Sequence, residues 1–433
     1  MFTSETSPPA LLAGESRTVQ RAVEVLGQIL TGSVNSRTTV DGFLYAHLGS
    51  YGTDLVCESQ KLSPLGLVTA GLALAAVMDQ HHPAIGPGED DEPPTWGSVE
   101  IGGTRLAPPQ NLSAYFEADQ LAPVPVVVQI TDETFASSRI QVYARPGERE
   151  HATEVLAALM ADARGAKNLY RGRALIATAN NGLRLELTEL PDVTRDSVIV
   201  PDAVWDEIDL SVAAVTVHRE LMEQLGLGVR RGVLLAGPPG VGKTVVSQVI
   251  ARELLGEFTV IIVDARAGQY VLSEVFKEAR GFGPTVVILE DIDLIVENRH
   301  AGGASATLSE FLAAMDADPM APILTMASTN DVSTLDVAAV RAARFDSIIE
   351  VGHPSTAAAS QILSRYLRGV PGAEDVDARA VAAQFPADMS GADIREVVRR
   401  SVLSGRGTVC TEDLVATVRS GRFKPVVPVG TYL

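Results

Sequence analysis

The chain has 433 residues, of which 46% are hydrophobic, 21% charged and 5% aromatic. At roughly 100–200 residues per domain, this length predicts more than one domain, and the ordinary apolar fraction excludes wholesale disorder. Lys and Arg total 35 against 54 Asp and Glu, which leaves a net charge of −19 at pH 7. A general binder of nucleic-acid backbones normally has a basic face, so the charge argues against that class.

Cysteine use indicates a reducing compartment, and the N-terminal segment and apolar runs indicate a soluble protein. Cys57 and Cys410 form no C-x-x-C pair, so neither a disulfide framework nor a zinc ribbon is indicated. The N-terminal segment lacks the basic and apolar regions of a signal peptide. The run from Leu65 to Met78 is shorter than the roughly 20 residues of a spanning helix and favours a buried helix, with an interfacial membrane helix as the alternative. We expect a soluble, cytoplasmic protein with no membrane partner.

The first half of the chain contains two predicted units. Residues 1–80 show helical spacing of leucines, which predicts a helical N-terminal region. Residues 81–96 are dense in proline, glycine and acid, which is typical of a linker. Residues 97–195 mix strand-like and helical patterns, so we expect a small α+β domain there. The runs behind that assignment are the strands 124–130 and 140–144, the helix 148–162 and the hairpin 175–187.

In the second half, strand-like runs alternate with helical patterns, which is typical of a parallel α/β sheet with crossover helices. We expect this unit to cover residues 196–353. Residues 354–421 carry only helical patterns and predict a helical subdomain, followed by a C-terminal tail over 422–433. The five predicted strands are Val233–Ala236, Thr259–Val263, Thr285–Leu289, Ile323–Ala327 and Ser347–Val351.

A glycine-rich segment, GPPGVGKT, follows the first of these strands and precedes a helical pattern. It matches G-x-x-x-x-G-K-[ST], in which glycines let backbone N–H groups face phosphates at a helix N-terminus. Lys243 is expected to reach the β- and γ-phosphates, and the Thr244 hydroxyl to bind Mg²⁺. The predicted nucleotide-binding residues here are Gly237, Pro238, Pro239, Gly240, Val241, Gly242, Lys243, Thr244 and Val245.

Two carboxylates, Glu290 and Asp291, come directly after the predicted strand Thr285–Leu289. A parallel α/β sheet places its chemistry at the carboxyl ends of its strands. One carboxylate is needed beside Mg²⁺, and a neighbour is needed to orient and deprotonate the attacking water. The alternative is that the acids only cap the strand.

Residues 200–420 resemble an ATPase module of the AAA family in the AAA+ superfamily. The resemblance implies an α/β fold with a P-loop AAA+ core, built on a parallel five-stranded sheet with a C-terminal helical lid. Helical and α+β N-terminal regions, which the resemblance does not cover, precede that core. The motifs that carry it, in the order of the family, are GPPGVGKT (237–244), PTVVILEDID (284–293), Asn330 in MASTND, LDVAAVRAARFD (335–346) and MSGADI (389–394).

The resemblance implies roles for three polar residues beyond the phosphate loop. Asn330 matches the first sensor, which helps to hold the attacking water. Arg341 and Arg344 match the arginine fingers that reach the γ-phosphate bound by a neighbouring subunit. An intrachain ion pair with Asp336 or Asp346 is the alternative for these arginines. A finger that acts on a neighbour requires a homo-oligomer, which the resemblance implies to be a ring of six.

The resemblance also implies which residues lie near the nucleoside of ATP. Gly391 and Ala392 match lid residues that pack beside it. Ile208 lies in the stretch whose backbone holds adenine in relatives, although Asp209 replaces the glycine that usually follows.

The order of the two acids departs from the usual Asp-Glu of the family. Glu290 makes the side chain on the metal side one methylene longer than usual. Asp291 makes the side chain of the expected base one methylene shorter. A displacement of about 1 Å at the base can lower the rate by about 10²-fold unless the backbone compensates. The same order is familiar in the branch that includes the mitochondrial Rieske-protein translocase, which remains an ATPase. We therefore expect an active but slow ATPase.

Relatives that thread a substrate carry an aromatic-hydrophobic-glycine step in a pore segment. This chain offers Tyr270 and Val271 at that place, but no glycine follows. Tyr270 and Val271 are therefore candidate pore residues, and packing of Tyr270 against Phe276 or the sheet edge is the alternative.

The sequence as a whole predicts an ATPase that uses ATP and Mg²⁺ to remodel a protein client chosen by residues 1–195. The first alternative is a nucleic-acid-directed AAA+ protein such as a loader, which the net charge disfavours. The second is a switch or scaffold that binds ATP and hydrolyses it very slowly.

Overall fold

The computed structural model describes residues 38–101, 104–132, 138–165, 168–179, 183–263, 265–292, 318–330 and 345–424, with five further positions between 19 and 30. At residue 101 and over 265–270 only the backbone is described. The chain divides into two compact units, Met1–Met160 and Ala161–Leu433.

The first unit contains a six-stranded antiparallel sheet in the order β1-β8-β7-β6-β2, with β3 also paired to β6. A separate hairpin pairs β4 with β5. The strands are β1 Val56–Lys61, β2 Ala84–Gly86, β3 Thr95–Trp96, β4 Val99–Ile101, β5 Thr104–Leu106, β6 Pro109–Phe116, β7 Val126–Thr131 and β8 Arg139–Ala144. The helices are α1 Val40–Leu48, α2 Pro64–His81 and α3 Arg149–Arg164, of which α3 runs past the division between the units.

Helix α2 contains the apolar run from Leu65 to Met78 and extends beyond it to His81. Ser63 caps it by accepting a hydrogen bond from the N–H of Gly66 at 3.0 Å, and Pro64 occupies the first turn. A Cβ on Gly71 would lie 2.6 Å from the carbonyl oxygen of Pro109, so the glycine lets the helix approach β6 closely. The apolar run is thus a buried helix, as predicted. Among the described residues no helix is long and apolar enough to cross a membrane.

The structure differs from the linker predicted over 81–96. Strands β2 and β3 lie in this segment and both pair with β6. The Ser113 hydroxyl donates to the carbonyl of Pro87 at 2.7 Å, and the Asn111 side chain accepts from the N–H of Glu89 at 2.9 Å. Strands pair through their backbones and need no periodic apolar residues. The composition of residues 81–96 therefore gave no sign that the segment pairs with the sheet. For the same reason β1 interrupts the region that was predicted to be helical.

The second unit is built on a seven-stranded sheet in the order β10-β9-β12-β13-β14-β11-β15. The five strands predicted from the sequence form the parallel part of this sheet. The hairpin assigned to the α+β domain extends it, because β9 pairs in parallel with β12. The strands are β9 Ala174–Ala179, β10 Leu183–Leu187, β11 Arg231–Ala236, β12 Thr259–Val263, β13 Thr285–Leu289, β14 Ile323–Thr329 and β15 Ser347–Glu350.

Helices pack against this sheet through apolar faces. Ile208 of α4 and Val246 and Ile250 of α6 belong to the same buried cluster as the strand residues Val233 and Ile288. The helices of this part are α4 Asp202–Val215, α5 Arg219–Gln224, α6 Lys243–Leu254 and α7 Ala265–Ala279.

The predicted helical subdomain is present and has its own core. Leu363, Val381, Ile394 and Leu414 are fully buried within one cluster. Its helices are α8 Thr356–Tyr366, α9 Ala378–Ala382, α10 Gly391–Ser404 and α11 Thr411–Ser420. We call this subdomain the lid.

Candidate functional site

The glycine-rich segment connects β11 to α6 and follows a backbone path that side chains would obstruct. A Cβ on Gly237 would lie 2.1 Å from the carbonyl oxygen of Val351. Gly240 and Gly242 have φ angles of +80° and +108°, in the left-handed region that favours glycine. Helix α6 begins at Lys243, so the loop ends at a helix N-terminus whose first N–H groups have no partner within the helix. This is an anion cradle of the kind that the motif predicts.

The Lys243 ammonium lies at the centre of the loop with only 5% of the residue exposed. It donates to the carbonyl oxygens of Gly237 at 2.7 Å and Pro238 at 2.9 Å, and to Oδ1 of Asn330 at 3.0 Å. A buried cation needs hydrogen-bond partners of this sort. The contacts therefore fix the charge at the mouth of the loop.

Asn330 joins the loop to the acidic strand end. Its Nδ2 donates to Oδ1 of Asp291 at 3.1 Å, so Lys243, Asn330 and Asp291 form a continuous hydrogen-bonded chain. The three residues come from the start of α6, the end of β14 and the end of β13, and adjacent strands of the parallel sheet bring them together. This is the grouping that the sequence predicts.

Asp291 itself has an unusual backbone. Its φ is +49°, which costs a non-glycine residue about 1–3 kcal/mol, although Asp tolerates this region better than most residues. Its N–H donates to the hydroxyl of Ser328 at 3.1 Å. Glu290, one residue earlier, is half-buried.

A cleft of about 460 Å³ opens beside this chain of residues. The phosphate loop and the acidic strand end form one side of it, and the lid forms another. Its lining residues are Ser197, Val198, Ile199, Pro239, Gly240, Val241, Gly242, Lys243, Thr244, Val245, Asp291, Asn330, Ile362, Arg365, Tyr366, Gly391, Ala392 and Arg395.

Hydrogen bonds join the lid to the rest of the second unit around the cleft. The N–H of Ala392 donates to the carbonyl of Gly240 at 3.1 Å. The Arg365 guanidinium donates to the carbonyl of Asp196 at 2.5 Å. Helices α8 and α10 are thus both anchored to segments that line the cleft.

The structure corrects the prediction for Ile208. This residue is fully buried in α4 and packs in the core of the second unit. Residues 197–199 line the cleft instead, immediately before α4. The apolar run Val198–Val200 ahead of Pro201 is the sequence signal that could have identified them.

The segment that carries residues 197–199 is anchored by Arg195. Its guanidinium binds Asp209 of α4 through two hydrogen bonds of 2.6 and 2.7 Å, and Glu253 of α6 through two of 2.8 and 2.9 Å. It also lies 4.9 Å from the ring centre of Trp205. Hydrogen bonds to Asp209 and then Glu253 raise the pKa of Arg195 above its usual value. Sequence reasoning missed this residue.

Val271 also differs from its prediction, because it is 1% exposed and packs inside the protein rather than facing a client. The side chain of Tyr270 lies outside the described residues, as do Arg341, Arg344 and Asp336. Asp346, one of the intrachain partners considered for those arginines, accepts from the N–H of Gly232 at 2.7 Å.

These residues fit a nucleoside triphosphate with Mg²⁺. The cradle combines helix N-terminal N–H groups with the buried Lys243, which suits phosphate anions. The Thr244 hydroxyl and the carboxylates of Glu290 and Asp291 are oxygen donors of the kind that Mg²⁺ prefers.

Comparison with known proteins agrees with this geometry. The family model described as "ATPase family associated with various cellular activities (AAA)" matches residues 233–353, which include the phosphate loop, the acidic strand end and Asn330. Residues 233–353 are an AAA ATPase module. The observed P-loop α/β core, followed by a helical lid, is the fold that this membership implies.

Curated relatives of the AAA module match a longer part of the chain than the family model does. The proteasome-activating nucleotidase of Methanocella arvoryzae is 30% identical over 253 residues, which cover 54% of this chain and 60% of the relative. The proteasome-activating nucleotidase of Archaeoglobus fulgidus is 29% identical over 252 residues, which cover 55% of this chain and 60% of the relative. A cell division cycle protein 48 homolog of Archaeoglobus fulgidus is 28% identical over 258 residues, which cover 55% of this chain and 35% of the relative. The chain thus spans about 60% of the length of the nucleotidases that it matches.

Proposed function

We propose that this protein hydrolyses ATP with Mg²⁺ and uses the energy to remodel a protein client. The observation that carries the proposal is the hydrogen-bonded chain Lys243–Asn330–Asp291 at the mouth of the phosphate loop. It places a cation for phosphates beside a carboxylate that can accept a proton, which is the arrangement phosphoryl transfer to water requires.

Each group has a distinct task in this proposal. The backbone N–H groups of the loop and the Lys243 ammonium hold the phosphates, and Thr244 and Glu290 hold Mg²⁺. Bound Mg²⁺ neutralises part of the phosphate charge. Asn330 orients the attacking water, and an Oδ of Asp291 accepts its proton.

The cleft also has apolar lining residues, which we assign to its nucleoside end. Val198 and Ile199 come from the segment before α4, while Ile362 and Tyr366 come from α8 of the lid. Apolar side chains on both sides suit a flat nucleobase. Gly391 and Ala392 line the cleft between this end and the phosphate loop, which supports the positions proposed for them.

Full activity would require an assembled ring, which we propose to contain six copies. Arg341 and Arg344 would reach the γ-phosphate bound by the neighbouring subunit, and such an arginine raises the rate by about 10³-fold or more in related systems. The resemblance supports this assignment.

A protein is the client class that we favour, with residues 1–195 selecting it in the cytoplasm. The names of the relatives refer to activation of a proteasome and to the cell division cycle. Net charge counts against the nucleic-acid alternative, because −19 repels a phosphate backbone.

Trapping the client tests the remodelling role. The Asp291→Asn variant removes the proton acceptor but keeps the cradle, so it should hold ATP and retain its client. We expect photo-crosslinking of this full-length variant in lysate with ATP to capture a small set of proteins, identified by mass spectrometry.

The matched control is Asp291→Asn combined with Lys243→Ala, which should not retain ATP and should capture none of that set. Identical capture by both variants would contradict ATP-dependent client binding. Capture that a nuclease abolishes would favour the nucleic-acid alternative.

A further inference from the structure

The base of this site has a shorter side chain than the glutamate usual in the family, and its backbone shows how the difference is accommodated. Asp291 follows β13 by two residues and has a φ of +49°. The other described non-glycine residues with positive φ lie at a helix end, in turns or in the short 3₁₀ helix Glu89–Asp91; they are His82, Asp90, Asp91, Asp119 and Arg406. Only at Asp291, among the described residues, does this conformation coincide with a predicted catalytic carboxylate.

The hydroxyl of Ser328 is hydrogen-bonded to the backbone of Asp291 in this conformation. Ser328 lies on β14, the neighbour of β13, and is 3% exposed. Its Oγ accepts the N–H of Asp291 at 3.1 Å. A buried backbone N–H that does not pair with a neighbouring strand needs another hydrogen-bond acceptor. The Ser328 hydroxyl is that acceptor for the N–H of Asp291.

The consequence of the turn is the direction of the carboxylate. With this backbone, Oδ1 of Asp291 lies 3.1 Å from Nδ2 of Asn330, whose Oδ1 in turn accepts from Lys243. A backbone change of this kind can recover the reach lost with one methylene, which otherwise displaces the base by about 1 Å.

We propose that Ser328 is a positioning residue for hydrolysis: its hydroxyl holds Asp291 in the left-handed backbone conformation that aims the shorter carboxylate at the phosphate end of the cleft. This inference rests on the ATPase function proposed above. Ser328 acts through Asp291 and does not itself touch the nucleotide.

The kinetic test compares the full-length native protein with Ser328→Ala and Ser328→Thr. We expect Ser328→Ala to lower kcat by about tenfold or more while the KM for MgATP stays within about twofold, because the cradle is untouched. Ser328→Thr keeps the hydroxyl and should retain most of the rate. In an Asp291→Asn background, Ser328→Ala should cause no further loss.

The control for a merely structural effect is Thr325→Val. Thr325 is fully buried on the same strand, and its hydroxyl has no hydrogen-bond partner among the described residues. This variant should keep the native kcat. A loss in Ser328→Ala that is equally large in the Asp291→Asn background would overturn the proposal, as would an unchanged kcat.

A structural readout separates this inference from the ATPase proposal. If the native protein hydrolyses ATP no faster than Lys243→Ala, the ATPase proposal fails, and crystal structures of the nucleotide-free Ser328 variants still decide the positioning role. In Ser328→Ala we expect Asp291 to leave the positive-φ region and to lose its hydrogen bond with Asn330. In Ser328→Thr we expect Asp291 to keep both the positive φ and that hydrogen bond. An unchanged Asp291 in Ser328→Ala would contradict the inference.

Discussion

At the scale of single residues, Gly240 is the position where the phosphate loop lies against side chains of the lid. Its φ is +80°, and a Cβ there would lie 2.8 Å from Cβ of Ala392 and 2.9 Å from Oγ of Ser390. The glycine therefore serves both the loop conformation and the close approach of the lid. A control glycine outside the loop separates the general cost of backbone strain from the effect at the phosphate loop.

We expect Gly240→Ala to weaken binding of a fluorescent ATP analogue by about tenfold, because it combines backbone strain of about 1–2 kcal/mol with a clash against the lid. Gly256→Ala is the control, since Gly256 has a φ of +98° but open space around it. That control should lower thermal stability without changing affinity. Equal affinities in the two variants would show that neither the loop conformation at Gly240 nor its contact with the lid matters for binding.

At the scale of elements, Arg195 connects α4, α6 and the segment that lines the nucleoside end of the cleft. Its contacts with Asp209 and Glu253 are well formed, but 34% of the Arg195 side chain is exposed. Solvent screening limits the contribution of each such pair to stability to about 1 kcal/mol or less. Its larger effect should be to hold residues 197–199 against the cleft.

We predict that Arg195→Gln raises the dissociation constant for the ATP analogue by about three- to tenfold while lowering the free energy of unfolding by about 1 kcal/mol. Equilibrium binding and urea denaturation measure the two quantities. The control is Arg184→Gln, whose exposed pair with Glu186 spans 3.9 Å. A purely stabilising role for Arg195 would leave the affinity at the native value.

The elements that the sequence predicted well are those with apolar periods of their own. Strands 259–263 and 285–289 have the predicted bounds, because each is a short run of buried, largely β-branched residues. Strand β1, VCESQK, alternates half-buried and exposed residues and was missed, because its place depends on pairing with β8. Strand pairing between distant segments is a tertiary property that local patterns do not contain.

The residues of the site also fall into those that local sequence predicts and those that depend on distant contacts. The phosphate loop was predicted because its spacing is itself the motif, Asp291 because it directly follows a buried strand, and Asn330 from the resemblance. The positive φ of Asp291, its contact with Ser328 and the Arg195 anchor were not, because each depends on residues 14 to 58 positions apart. Burial of Ile208 follows from the packing of α4, which the resemblance alone did not specify.

At the scale of the whole molecule, the second unit contains a complete phosphate cradle and acidic strand end, with a lid across the cleft. The finger arginines predicted for the trans site lie outside the described residues. The two units differ in architecture, since the first holds an antiparallel sheet and the second a largely parallel one. We therefore propose hydrolysis for the second unit and client selection for residues 1–195.

Ring assembly predicts a specific dependence on protein concentration. If Arg341 or Arg344 acts on a neighbouring subunit, ATP turnover per subunit should increase as the protein assembles. A switch that hydrolyses ATP very slowly would show turnover near the background at every concentration.

The most direct test of the central claim is phosphate release per subunit from MgATP, measured across protein concentrations for the native chain and for Lys243→Ala. We predict that native turnover rises with concentration and falls to background when Mg²⁺ is chelated, while Lys243→Ala stays at background throughout. Native turnover equal to that of Lys243→Ala at every concentration would contradict the claim that this site hydrolyses ATP.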